Sequence, residues 1–268
     1  RAKTFVRSLR VNMGADLTVM RNLAMSYEEL GEHKDAVDLY RTLVGKAPND
    51  DVARQGLRRL AKDNQEQLPF PPFDSKAARS VPARTNNAYE ILDDATHILL
   101  HKDGAYSKHR RRLIRAQRVP TSRDARTLSQ RFDPSQVRIS VLRARVHRGD
   151  VAIDSVRQSE RQISKAWYGL YYDQRELSFV LDDLQVGDVI EITTRTDSVG
   201  SHPIPNAFEL LRLLQGKSYT HKLSIEVDLP SSLKLHTRLN QGGGSDELLG
   251  HFSHREESSN ERKRIIVE

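Results

Sequence analysis

The stretch Tyr171–Thr196, YYDQRELSFVLDDLQVGDVIEITTRT, decides how this chain is read. Leu177, Phe179 and Leu181 alternate with Glu176, Ser178, Val180 and Asp182, the period of two that marks a strand with one largely apolar face. Ile190 and Ile192 alternate in the same way with Glu191, Thr193 and Arg195. Gly187-Asp188 between them supplies turn chemistry, so the spacing predicts a hairpin whose end Leu184 or Val186 closes. Such an element is architecture rather than chemistry.

Working outward, the same alternation recurs on both sides. Tyr89 to Lys102 and Ala105 to Gln117 flank Asp103-Gly104, a strong hairpin signal. Phe132-Asp133-Pro134-Ser135 turns into Val137 to His147, and Gly149-Asp150 precedes a short strand, VAIDSV. Residues 157–166 read as a loop or short helix, and Asn206 to Leu214 as helix or strand. Ser218 to Leu229 is a strand ended by Pro230, Leu233 to Leu239 a further one, and Ile265 to Val267 begin the last. Gln241 to Ser245 is a glycine loop. Many short strands with regular turn signals predict an antiparallel β-sandwich over residues 88–268.

Upstream the pattern is helical. Offset by 34 residues, Ala2 matches Ala36, Phe5 matches Leu39, Arg7 matches Arg41, Leu9 matches Leu43 and Asp16 matches Asp50. Leu23, Ala24, Tyr27, Gly31, Ala36, Tyr40 and Pro48 resemble the tetratricopeptide repeat, whose period this is. Small residues at Ala24 and Ala36 let helices approach, Gly31 ends one helix and Pro48 stops the next. Asp51 to Lys62 reads as a capping helix. The expected organisation is a repeat end over residues 1–63, a proline-containing linker over 64–87 and the sandwich over 88–268. The expected fold class is α+β multidomain, tetratricopeptide-type helical hairpins followed by an antiparallel β-sandwich. Because Arg1 falls in mid-repeat, the chain is expected to be a fragment of a longer protein.

The downstream order of features resembles a bacterial domain of unknown function that lies immediately upstream of transglutaminase-like domains. Carrying residues are the Asp103-Gly104 turn, Phe132-Asp133-Pro134, Ala144-Arg145-Val146, Tyr171-Tyr172-Asp173 through Leu184, Gly187 to Glu191, and Asp228-Leu229-Pro230. Departures are Gly149-Asp150, where an Asp-Gly turn is usual, and Asp182-Asp183, where a proline is common. The resemblance implies a segment that supports a cysteine-protease-fold domain beyond Glu268.

At 268 residues the chain is long enough for two cores. No stretch approaches the ~18 apolar residues of a membrane-spanning helix. There is no Cys, which excludes disulfides, thiolate metal sites and a cysteine nucleophile within these residues. The composition selects neither the cytoplasm nor export.

Charge is unevenly placed: the net charge is +7, yet Gly104 to Arg148 carries 13 Lys/Arg against only Asp124 and Asp133. Lys108, Arg110, Arg112, Arg115 and Arg118 on one strand form the only cluster fit for nucleic acid or another polyanion. On a strand Lys108, Arg110 and Arg112 face one way and His109, Arg111 and Arg115 the other, which favours a solubilising or domain-contact role. In the repeat geometry Thr18, Arg21, Asn22, Met25, Glu28 and Glu29 line a groove for a protein or peptide.

Other chemistry finds little support. His251 and His254 precede Glu256 and Glu257 beside the glycine loop, and His97 and His101 share a strand face too far apart for one metal. Asp93-Asp94 and Asp182-Asp183 point to opposite faces, whereas acid–base pairs must converge. Neither a serine elbow nor a phosphate-cradling loop occurs. The sequence therefore predicts a non-catalytic interaction and scaffolding segment without metal or cofactor, with polyanion binding as the alternative.

Overall fold

The computed structural model describes residues 16–47, 50–60, 68–101, 104–122, 126–163, 174–199, 208, 218–236, 253–258 and 262–268. The chain divides into two units, Arg1–Gln67 and Leu68–Glu268.

In the first unit, α1 (Leu17–Glu29) starts where Asp16 accepts hydrogen bonds from the backbone amides of Thr18 and Val19 at 2.7 and 3.3 Å. Gly31, at φ +72°, lets the chain leave it: its amide reaches the Glu28 carbonyl and that of Glu32 the Tyr27 carbonyl. The next helices are α2 (His33–Lys46) and α3 (Asp51–Leu60). Met20, Leu23, Ala24 and Tyr27 meet Ala36, Leu39, Tyr40 and Leu43 in one core, which Ala53 of α3 completes. A Cβ on Gly56 would stand 2.2 Å from the Tyr40 ring, so only glycine permits this approach of α3 to α2.

The described residues of the second unit form eleven strands. In one sheet they run in the order β10 (His254–Ser258), β11 (Arg262–Val267), β9 (Leu223–Pro230), β1 (Tyr89–Leu100), β2 (Tyr106–Ala116), β8 (Val189–Ser198), β4 (Val137–Arg148), β5 (Val151–Ile153). A second sheet has the order β3 (Thr127–Phe132), β7 (Arg175–Leu181), β6 (Val156–Gln162). Ile114, Val146, Ile190 and Ile192 on one face of the large sheet pack against Leu177, Phe179 and Leu181 of the small one. Ile98, Leu100, Val227, Leu229 and Ile265 form a separate core towards β9 and β11.

The opposite face of the large sheet is covered in part by the chain's own residues 68–81. This strap contains α4 (Ser75–Ser80), capped by the Asp74 carboxylate, and places Phe73, Ala78 and Val81 on Leu92, Leu113 and Val189. Of the residues read as a linker, 64–67 lie outside the described residues and Leu68 onward belongs to the strand-rich unit.

The expected fold class is overturned. The described residues are mostly strand with four helices, α1–α3 close on one small core rather than forming tetratricopeptide hairpins, and the large sheet is mixed. It is mixed because β9 runs parallel to β1, with Asp94 opposite Leu223 and Ile98 opposite Val227. Alternation identifies a strand but carries no direction, so a parallel partner more than a hundred residues away leaves no local signal.

Single elements also differ from expectation. The opening stretch is no hairpin: β7 is the centre of the small sheet, while β8 lies in the large one. Residues 182–188 carry the chain from one sheet to the other. Leu184 is buried there and Val186 is 68% exposed. The Asp188 carboxylate accepts from the Gln185 amide at 2.8 Å and from Arg148 at 3.1 and 2.9 Å. Residues 156–162, read as loop or helix, are β6, and the described residues after Leu233 form no strand up to His236. Asp103, Pro48, Lys62, Tyr171 to Asp173, most of Asn206 to Leu214 and the glycine loop lie outside the described residues.

Candidate functional site

The strap-covered face gathers most of the buried charge. Glu90, 0% exposed on β1, has its carboxylate surrounded by donors. Arg115 reaches it at 2.6 Å, Gln117 at 2.5 Å, the Arg84 amide at 2.8 Å and His221 at 2.9 Å. Burial works to raise the Glu90 pKa, but these donors outweigh it and pull it down to about 2. Arg115 also donates to the Val81 carbonyl at 2.6 Å, tying the strap to the carboxylate.

Further along, a bulge between Ile91 and Asp93 sets the register of β1 on β2. Asp93 and Asp94 then point to opposite faces: Asp93 takes Arg111 at 2.7 Å, while Asp94 binds Arg110 through two bonds of 2.8 and 2.7 Å. Arg111 also donates to the Pro71 carbonyl and lies 5.3 Å from the Phe70 ring centroid.

At the β4 side of the strap lies an open cavity of about 280 Å³. Pro72, Phe73 and Ser75 form one wall, Arg143, Arg145, His147 and Glu191 the floor, and Gly149, Asp150 and Ala152 the far rim. Phe73 stacks on His147 with ring centroids 4.0 Å apart. Glu191 accepts from Arg143 at 3.1 Å and lies 2.8 Å from His147. Burial opposes its ionisation, yet the bonds from His147 and Arg143 hold its pKa below the usual range. Asp150 is engaged by Ser75 and by Arg79 at 3.0 Å.

The basic strand is not an open patch. Arg110 and Arg115 are committed to Asp94 and Glu90, Arg118 donates to the Asn86 carbonyl, and Lys108 and Arg112 are half-buried between β1 and β8. Of the repeat-groove residues, Arg21 is held by Asp50 at 2.8 and 2.5 Å, and Glu28 accepts from Tyr40 at 2.8 Å. Burial resists ionisation of Asp50, but Arg21 and the α3 amides outweigh it and lower its pKa. Thr18, Asn22, Met25 and Glu29 are exposed on α1.

Among the described residues no group of three or more His, Cys, Asp or Glu is placed to hold a metal. His254 is exposed on β10, with Glu256 and Glu257, and His251 lies outside the described residues. His97 stands beside His109, 6.4 Å between ring centroids, and 3.4 Å from Glu226. No described helix is long and apolar enough to cross a membrane. The cavity and the Glu90 cluster escaped sequence reasoning because their members come from the strap, β1, β2, β4 and β8. The only local signal was the alternation of Arg143, Arg145 and His147.

Residues 102–264, more than half of the chain, match the family DUF3857, described as a domain of unknown function with solved structure. The chain belongs to that family. No curated protein matches. Among solved structures, a putative protease from Parabacteroides distasonis ATCC 8503 superposes with a TM-score of 0.52 at 15% identity, over 67% of this chain and 35% of that one. An M1 zinc metallopeptidase from Deinococcus radiodurans gives a TM-score of 0.34 at 13% identity, over 67–68% of this chain and 38–39% of that one across two of its structures. The first likeness concerns the fold alone, and the second carries no argument. This chain spans little more than a third of either protein.

Proposed function

We propose that this chain is a non-catalytic interaction and positioning segment of a larger bacterial protein, its strand-rich unit supporting a neighbouring transglutaminase-like domain. The observation that carries this reading is where the charge goes. Glu90, Asp93, Asp94, Glu191 and Asp188 are spent on Arg115, Arg111, Arg110, Arg143 and Arg148 within the large sheet. Groups locked in such pairs stiffen a platform and are unavailable for proton transfer or for phosphate. Family membership and the small share of the Parabacteroides distasonis protein that this chain covers support a role as one part of a longer polypeptide. A partner protein would meet the exposed α1 residues Thr18, Asn22, Met25 and Glu29. Catalysis in the parent then rests on residues outside this chain, which has no Cys to serve as nucleophile.

The test compares the parent protein with a version lacking residues 68–268. The expected result is a marked loss of acyl-transfer or hydrolytic activity, or of solubility, when the segment is removed, and no turnover by the segment alone. Full activity without it, or turnover by the purified chain itself, refutes the reading.

A further inference from the structure

We infer that the cavity between the strap and β4 is a binding site for a single carboxylate group, received by Arg145. Arg143, Arg145 and His147 stand at alternate positions of β4 and line the same cavity. Glu191 is the one buried carboxylate there, and it is already shared by the two outer members of the row, Arg143 and His147. Among the described residues Arg145, between them, has no such partner, and its buried Nε has no acceptor. Asp150 does not supply one: its carboxylate is turned to Ser75 and Arg79, which both donate to Oδ1, and it makes no ion pair with Arg145.

The row is thus one anion short. Leaving His147 aside, Arg143 and Arg145 face Glu191, and the Arg79–Asp150 pair cancels itself, so one positive charge is left over. A monoanion balances that charge, whereas a doubly charged phosphate meets the carboxylates of Glu191 and Asp150 as well. The guanidinium is a planar fork whose two parallel N–H bonds match a carboxylate. Pro72, Phe73 and Ala152 offer apolar walls to whatever bears the group. At about 280 Å³ the cavity is at the small end of ligand sites, typically ~300–1,000 Å³. That suits a short acid or the end of a peptide rather than a large cofactor. This inference stands on the cavity alone and does not depend on the neighbouring domain.

The experiment is a titration of the whole chain with benzoate, with the tripeptide Ala-Ala-Ala, with its C-terminal amide, and with sulfate. Binding is followed by the Arg145 Nε–H resonance in nuclear magnetic resonance spectra and by calorimetry. The expected result is a saturable shift of that resonance with at least one of the two carboxylates and none with the amide. Response to the tripeptide alone assigns the site to peptide termini, and to benzoate alone to small acids. Arg145→Gln should weaken binding by roughly ten- to a hundredfold, and Arg145→Lys by less, because it keeps the charge and loses the fork. No shift at millimolar carboxylate, equal binding by a folded Arg145→Gln variant, or tighter binding of sulfate would each overturn the assignment. Should Arg145→Gln not fold, the Nε titration of the unaltered chain decides alone.

Discussion

Replacing Glu90 by Ala removes the acceptor on which Arg115, Gln117, His221 and the Arg84 amide converge. Two routes give the cost. Glu90 titrates at about 2 instead of the ordinary 4.5, and at ~1.4 kcal/mol per pH unit the folded state gains about 3 kcal/mol from its ionised form. Separately, taking one partner from a buried ion pair costs about 3–5 kcal/mol, because the other charge stays buried and unpaired. Both routes predict a loss of about 3 kcal/mol at pH 7 by urea denaturation of the intact chain. The pH dependence has a fixed sign. The carboxyl is depressed on folding, so its contribution is complete above pH 4.5 and disappears as pH falls through about 2. A second readout follows from the Arg115 bond to Val81: the strap should loosen, and trypsin should cut after Arg79 or Arg84 sooner than in the unaltered protein. A loss below about 1 kcal/mol, the range of exposed pairs, with unchanged cleavage would refute the account.

Gly56→Ala should destabilise the helical unit by about 1–3 kcal/mol in thermal denaturation, since the new Cβ meets the Tyr40 ring. His97 is held near pKa 4 by burial, by His109 and by Arg264 and Arg262, against the pull of Asp228. As pH falls below 6.5 the unfolded chain takes up a proton that the folded one refuses, so stability should drop by up to ~3 kcal/mol and level off below pH 4. His97→Gln should flatten that slope in urea titrations at stepped pH. In binding assays with duplex DNA or polyphosphate, the chain should not exceed the non-specific range of ~10⁻⁴–10⁻⁶ M at physiological salt, and sub-micromolar affinity would restore the polyanion reading.

What the sequence disclosed depended on where each element's stabilisation comes from. β4, β7 and β8 were legible because half their side chains enter an apolar core, and burial leaves a period of two. β6, VRQSERQ, has almost no apolar residue and lies at the edge of the small sheet. It is held by the β7 ladder and by pairs across it, Arg161 with Glu176 at 2.7 Å and Glu160 with Arg175 at 2.8 Å. Such pairs look like ordinary surface charge until the register is known. The same holds for the basic strand, whose carboxylate partners were in plain sight on β1 but are aligned by the bulge at Leu92. The β7–β8 stretch misled because Gly187-Asp188 is turn chemistry in a hairpin and in a sheet-to-sheet crossing alike. The cavity was invisible for a further reason: its aromatic wall, Phe73, comes from a proline segment whose two Phe point to docking against a domain but not to the sheet face that receives them.

The parallel pairing of β1 with β9 bears on how the molecule is made. β1 leaves the ribosome well before its partners on one side: one of its two neighbours comes from residues 223–230 and the next strand outward from 262–267. A nascent chain therefore carries an unsatisfied inner strand while more than a hundred further residues are made, with Ile98 and Leu100 uncovered. Pairings so distant in sequence pay their loop-closure entropy before any contact rewards it. Folding of this unit should accordingly be slow, with chaperone dependence concentrated on the Tyr89–Leu100 strand until β9 and β11 have been made.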